Sequence, residues 1–279
     1  EVFYGERRTT TYQSGPDLPF PRFDPIVGPG GARFTASPDE NGGGADGPGA
    51  SGVSFALTNV NGHTFRKPAA TNDPGNPLKA GIIHHRGMNG VIMERGASSL
   101  TLRLKSEWTG TDEPIRRICS DRREITLSLP SESVLQLDAR IELTADAGDL
   151  EIGPQSEGAW SVSLAPGLVW TPGSKAVALR NGSGQTSDKV PGAPSPWIDC
   201  QGKDAGGSPA GVAILDHPAN PRAPATWIAS ADGLLAANPF PKSGDTPPLI
   251  LPNGESLVFR YRTVFYRADS DPVDIAGLY

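Results

Sequence analysis

The sequence is poor in the residues that redox, thiol and zinc chemistry depend on: of 279 residues, only two are cysteine and four are histidine. Cys119 and Cys200 have no CxxC spacing, which leaves one long-range disulfide or two buried thiols as equal readings and gives neither the setting of a nucleophile. Basic charge is not in excess either. A formal net charge of -6 and a pI near 5.3 argue against a chain that gathers phosphates, so nucleic acid is not an expected partner. No apolar run approaches the ~20 residues that cross a bilayer, and a soluble chain without a membrane partner is expected. The first residues, EVFYGERRTT, have neither the basic nor the apolar region of a signal peptide, and because the chain starts at Glu1 a removed segment is expected. Cofactor motifs are missing too. VGPGGARF is glycine-rich without the strand-turn-helix context of a dinucleotide fold, and no P-loop or GxSxG pattern occurs, so no cofactor is expected.

What the chain does have is glycine, proline and period-2 alternation. Its 34 Gly and 28 Pro imply many turns between short elements. At this length one domain over residues 1–279 is the default, since all-β sandwiches commonly reach this size. Residues 28–52 hold little that can pack and read as a mobile loop. In VLQLDARIEL, Leu135, Leu137, Ala139, Ile141 and Leu143 alternate with Gln136, Asp138, Arg140 and Glu142, which describes a half-buried antiparallel strand. SLTLRLK, REITLSL and SLVFRYRTVFY repeat the pattern, and shorter β runs occur at VSFAL, WSVSLA, AVALR and GVAIL. No stretch sustains a 3.6-residue apolar period. The fold class that follows is all-β, an antiparallel two-sheet β-sandwich.

Two histidine-centred motifs stand out. In AGIIHHRGMNG an apolar pair leads into His84, His85 and Arg86, and Gly87 allows a sharp turn. Neighbours on a strand point to opposite faces, so one histidine is expected at a site and the other in the structure. In GVAILDHPANPRAPATW an apolar strand delivers Asp216 and His217 to its end, and the prolines hold Asn220 and Arg222 in a stiff loop. A structural reading, in which these groups only tie the loop together, stands beside the functional one. The two motifs are expected to share one polar cleft.

IHHRG, EGAWSV, GVAILDHPANPRAPATW, DGLLAANPF and SLVFRYRTVFYR, in that order over roughly residues 55–268, resemble the landmarks of the bacterial PmoA-like domain family, a group of largely unassigned function. Members usually place a proline before the two histidines and an aromatic residue soon after the glycine; Ile83 and Met88 stand there in this chain. The resemblance implies secreted or periplasmic proteins of polysaccharide-degrading bacteria and a sandwich of the supersandwich type. The expected function is then a carbohydrate-active enzyme, a polysaccharide lyase or glycoside hydrolase, working by His/carboxylate proton transfer on an oligosaccharide or polysaccharide. Candidate catalytic residues are His84, His85, His217, Asp216 and Glu157. Arg86, Asn220, Arg222, Trp227 and Asn238 are candidates for substrate binding, with Trp160 and Trp197 as further stacking faces. A non-catalytic sugar-binding module is the alternative. A metal enzyme ranks last because the histidines lack ligand spacing, and no metal is expected.

Overall fold

VLQLDARIEL becomes the strand Val134–Thr144, which lies at the middle of a nine-stranded sheet. Its leucines, Ala139 and Ile141 are buried on the inner face, and Arg140 is exposed on the outer one, as alternation requires. The chain is described by a computed structural model covering residues 1–36, 51–66, 78–93, 98–241, 247–269 and 273–279. Across the large sheet the strands run Ala178–Asn181, Trp197–Lys203, Pro209–Asp216, Ser256–Arg267, Val134–Thr144, Arg117–Ser131, Ser99–Gly110, Lys79–Met93 and His63–Thr64. Every neighbouring pair is antiparallel except the last, which is parallel.

A six-stranded antiparallel sheet covers its inner face, in the order Thr226–Ala229, Leu234–Asn238, Trp160–Ser163, Gly52–Phe55, Arg22–Phe23 and Tyr12–Gln13. The two sheets meet through aromatic rings. Phe55 lies 5.2 Å from Phe259 and 6.2 Å from Trp108, and the Trp160 indole donates to Thr263 Oγ1 at 2.8 Å. Each such side chain taken fully out of water contributes about 1.5–3 kcal/mol, which is why inward positions tolerate so little polarity. The protein is an all-β, antiparallel two-sheet sandwich.

Two expectations are corrected. Residues 28–36 are not a loose loop: Phe34 is fully buried, Thr35 bridges Leu164, and Pro29–Gly31 form a short turn. Residues 37–50 of that stretch lie outside the described residues. Gly87 does not end its strand, either. Lys79–Met93 runs on for 15 residues, and Arg86 is absorbed by a bulge between the pairs His85↔Ser106 and Gly87↔Lys105. Gly87 has a φ of 146°, which suits glycine at that irregularity. The cysteines are both buried and both free thiols, and burial pushes Cys200 up to about 12. No helix among the described residues is long and apolar enough to cross a membrane.

Inward charge was not foreseen. On Arg117–Ser131 the side chains of Asp121 and Arg123 face the core at positions where alternation would place apolar residues. Arg123 donates to Asp121 through Nε at 2.9 Å and Nη2 at 2.7 Å, and Trp108 Nε1 adds a third bond at 2.7 Å. A fully desolvated pair is tolerable only with this degree of satisfaction.

On the opposite, outer side of the large sheet a small second core forms where Val273, Ile275 and Leu278 lie over Ala213, Leu215, Val264 and Tyr266. This segment walls off one end of the outer face and leaves a hollow beside it.

Candidate functional site

That hollow is a cavity of about 290 Å³ on the outer face of the nine-stranded sheet. Its floor comes from the outward residues Glu124 and Thr126, Asp138 and Arg140, and Arg260 and Arg262 on three adjacent strands. Asp216, His217 and Pro218 form one wall, and Leu278 and Tyr279 another. Tyr279, 51% exposed, gives the rim an aromatic face. A larger hollow of about 560 Å³, lined by Arg7, Gly28, Glu132 and Arg267 among others, contains no histidine.

The loop DHPANPR is what holds the wall in place. Asp216, buried at the strand end, accepts Asn220 Nδ2 at 2.7 Å and the Ala225 amide at 2.8 Å. Burial raises its pKa above the usual carboxylate value in spite of those bonds. Asn220 then takes over where strand pairing stops. Its Nδ2 donates to the Arg260 carbonyl at 2.6 Å and its Oδ1 accepts the Arg260 amide at 2.7 Å, one residue past the last Asp216↔Tyr261 pair. His217 is exposed, and its Nδ1 accepts the Ala219 amide at 3.0 Å. An accepting Nδ1 assigns the proton of the neutral ring to Nε2, the nitrogen left available to the cavity.

The charges at the cavity are mostly matched. Arg262 holds Asp138 through Nε at 2.7 Å and Nη2 at 3.1 Å, and reaches the Leu278 carbonyl at 3.0 Å. Arg103 binds Glu124 at 2.9 Å, and Arg140 binds Glu142 at 2.9 Å. Among the described residues, the Arg260 guanidinium has no such partner.

The other sequence candidates lie elsewhere. His84 and His85 do point to opposite faces. His84 faces outward beside Thr109 Oγ1 at 3.0 Å, next to the pair Arg86 and Glu107, whose bond is 2.6 Å. Burial and the Arg86 charge lower its pKa. His85 faces inward, where its Nδ1 meets the Tyr12 hydroxyl at 3.1 Å. Burial pushes that phenol up to about 12, so it remains the donor; burial and Arg123 lower the imidazole. Neither histidine lines the cavity of His217. Five strand spacings separate Lys79–Met93 from Pro209–Asp216, roughly 24 Å at ~4.8 Å per strand. The expected common cleft does not form, and these histidines cannot share a metal ion. Among the described residues no group of three or more His, Cys, Asp and Glu is placed to hold one.

Arg222 points away from the cavity: it donates to the Pro247 carbonyl at 2.7 Å and lies 5.1 Å over the Phe240 ring. Trp227 is fully buried with its indole on the Ser195 carbonyl, so it presents no face to a sugar; Trp160 is buried as well. Asn238 is buried and spans the Gln155 carbonyl and the Phe240 amide. Glu157 is 8% exposed and precedes the strand Trp160–Ser163 of the other sheet, outside the cavity. Of the residues singled out from sequence, Asp216 and His217 line the cavity, and Asn220 braces it from behind.

Arg140, Arg260, Arg262, Glu124 and Asp138 carry no local motif that marks them as site residues. A signal existed in the register of two strands, because DAR and RYR place like and unlike charges opposite one another across the pair. Over residues 1–279 the sequence matches a family described as "Family of unknown function (DUF6807)", and the chain belongs to that family. No curated protein matches it.

Proposed function

We propose that the protein is a carbohydrate-active enzyme whose outer-face cavity takes one sugar residue of an oligosaccharide, with His217 as the proton-transfer group. The observation that carries this reading is the His217 ring, anchored at Nδ1 by the Ala219 amide with Nε2 left to the cavity. An imidazole can take and return a proton near neutral pH. To take a proton at Nε2 the ring must carry its own proton at Nδ1, which releases the Ala219 amide; the imidazolium formed then returns the proton from Nε2. The size fits: about 290 Å³ is at the lower end of the ~300–1,000 Å³ of ligand sites and suits a ring rather than a long chain segment. Tyr279 takes the stacking role that the buried tryptophans do not fill.

The carboxylates narrow the chemistry. Hydrolysis by two carboxyl groups needs one free acid and one free base, yet Asp138 and Glu124 each hold an arginine and Asp216 is spent on the loop. Proton transfer by imidazole, as in β-elimination, fits this arrangement better. The same observation favours the competing reading, a binding module that has the pocket but no reaction.

His217→Ala separates them. Acidic and neutral oligosaccharides are incubated with wild type and variant, with reducing ends reporting cleavage and the ultraviolet absorbance of a new C=C bond reporting elimination. The expected result is a loss of ~10²- to 10⁴-fold in rate with an unchanged thermal midpoint, because Pro218 and Pro221 hold the loop without the ring. Wild-type turnover in the variant would remove His217 as acid or base. Binding without turnover in the wild-type protein would establish the module.

A further inference from the structure

We infer that the sugar taken by this cavity carries an oxyanion, a uronate carboxylate or a sulfate ester, and that Arg260 and Arg140 bind it; this rests on the reading of the cavity as a sugar site. The two arginines are register partners on adjacent strands and both point to the outer face, so two cationic side chains leave the sheet from directly opposite positions. Like charges in that position repel, and a sheet built for stability alone would pair Arg260 with an acid, as Asp138 pairs with Arg262 one step along the same strands. Arg140 is shared with Glu142, whereas the Arg260 side chain has no partner among the described residues.

Arg260 is nevertheless held in place. Its amide and carbonyl are both bound by Asn220, which Asp216 fixes in turn, so the loop that presents His217 also sets the position of Arg260. A cation braced on its backbone and unengaged at its tip, in the cavity that His217 also lines, is suited to bind an oxyanion. Guanidinium forks recognise carboxylate and sulfate through paired, charge-assisted hydrogen bonds. The neutral residues Thr126 and Pro218 and the rim of Tyr279 then meet the rest of the ring.

The test uses calorimetric titration of wild type, Arg260→Gln and Arg260→Lys with an oligogalacturonate, its methyl ester, a sulfated oligosaccharide and inorganic sulfate. In the wild type, the acid or the sulfated sugar should bind ~10- to 100-fold more tightly than the ester. Arg260→Gln should abolish that preference and Arg260→Lys should keep part of it. Whether the carboxylated or the sulfated probe wins identifies the source of the oxyanion. Equal binding of acid and ester to the wild type, or a preference that survives in Arg260→Gln, overturns the inference while leaving a neutral-sugar site intact. Sulfate binding that depends on Arg260, with no sugar bound, keeps the anion site and removes the glycan reading. No binding of any probe to the wild type ends both. If Arg260→Gln does not fold, Arg140→Gln on the facing strand provides the same comparison.

Discussion

Asn220→Ala is the sharpest probe of how the loop is built. The side chain makes three bonds that alanine cannot: to the Asp216 carboxylate, to the Arg260 carbonyl and from the Arg260 amide, at 2.7, 2.6 and 2.7 Å. Net worth is about 0.5–1.5 kcal/mol for each neutral bond and about 1.5–3 kcal/mol for the one to a carboxylate. Water can reach the half-buried Arg260 backbone and replace part of this, so a loss of about 3 kcal/mol is expected. Asn220→Asp keeps the shape and the acceptor but sets two carboxylates against each other, and should cost no less. Urea denaturation followed by tryptophan fluorescence measures both. A loss under about 1 kcal/mol for Asn220→Ala, with an unchanged urea slope, would show that water substitutes freely and that Asn220 does not brace Arg260.

Two further outcomes follow from the buried groups. Asp121→Asn leaves the Arg123 guanidinium uncompensated in the core and should cost about 3–5 kcal/mol by the same denaturation assay, whereas replacing both residues by apolar ones of similar size should recover much of it; a single variant as stable as the double would refute the pairing argument. His85 is held neutral, with its folded pKa below its ordinary value of 6.5. The unfolded chain therefore binds the proton first, and the stability His85 contributes is present above about pH 6.5 and lost as pH falls through its folded pKa. The wild-type thermal midpoint should fall more than that of His85→Gln between about pH 7.5 and about pH 5. A parallel decline would mean that His85 is not the responsible group.

The strands were legible because each carries its own instruction. Leu102 and Leu104, Ile125 and Leu127, and Leu135 to Leu143 alternate without regard to where their partners lie, and burial of one face follows from that pattern alone. The exceptions come from tertiary partners. Asp121 and Arg123 occupy inward positions because Trp108 and each other satisfy them, and no local pattern announces a neighbour from another strand. Phe34, in a stretch dominated by glycine, is buried for the same reason: it lies 5.5 Å from Phe265, more than two hundred residues away in the chain.

The site shows the same limit more severely. His217 stands out in the sequence because Asp, His, Pro and Asn crowd one short loop, but the charges that line the cavity with it lie on strands where Arg140, Arg260 and Glu124 read as ordinary solvent-facing positions. Only register turns them into a site, since it puts Arg140 opposite Arg260 rather than opposite an acid. IHHRG misled for the opposite reason: it concentrates titratable groups in sequence, but the strand disperses them, His84 to the outer face and His85 to the inner one. Local density of histidine is thus a weaker guide here than a charge left unmatched across a strand pair. Arg260 is the one case at the cavity where the fold accepts that cost and also spends Asn220 on keeping the charge in place.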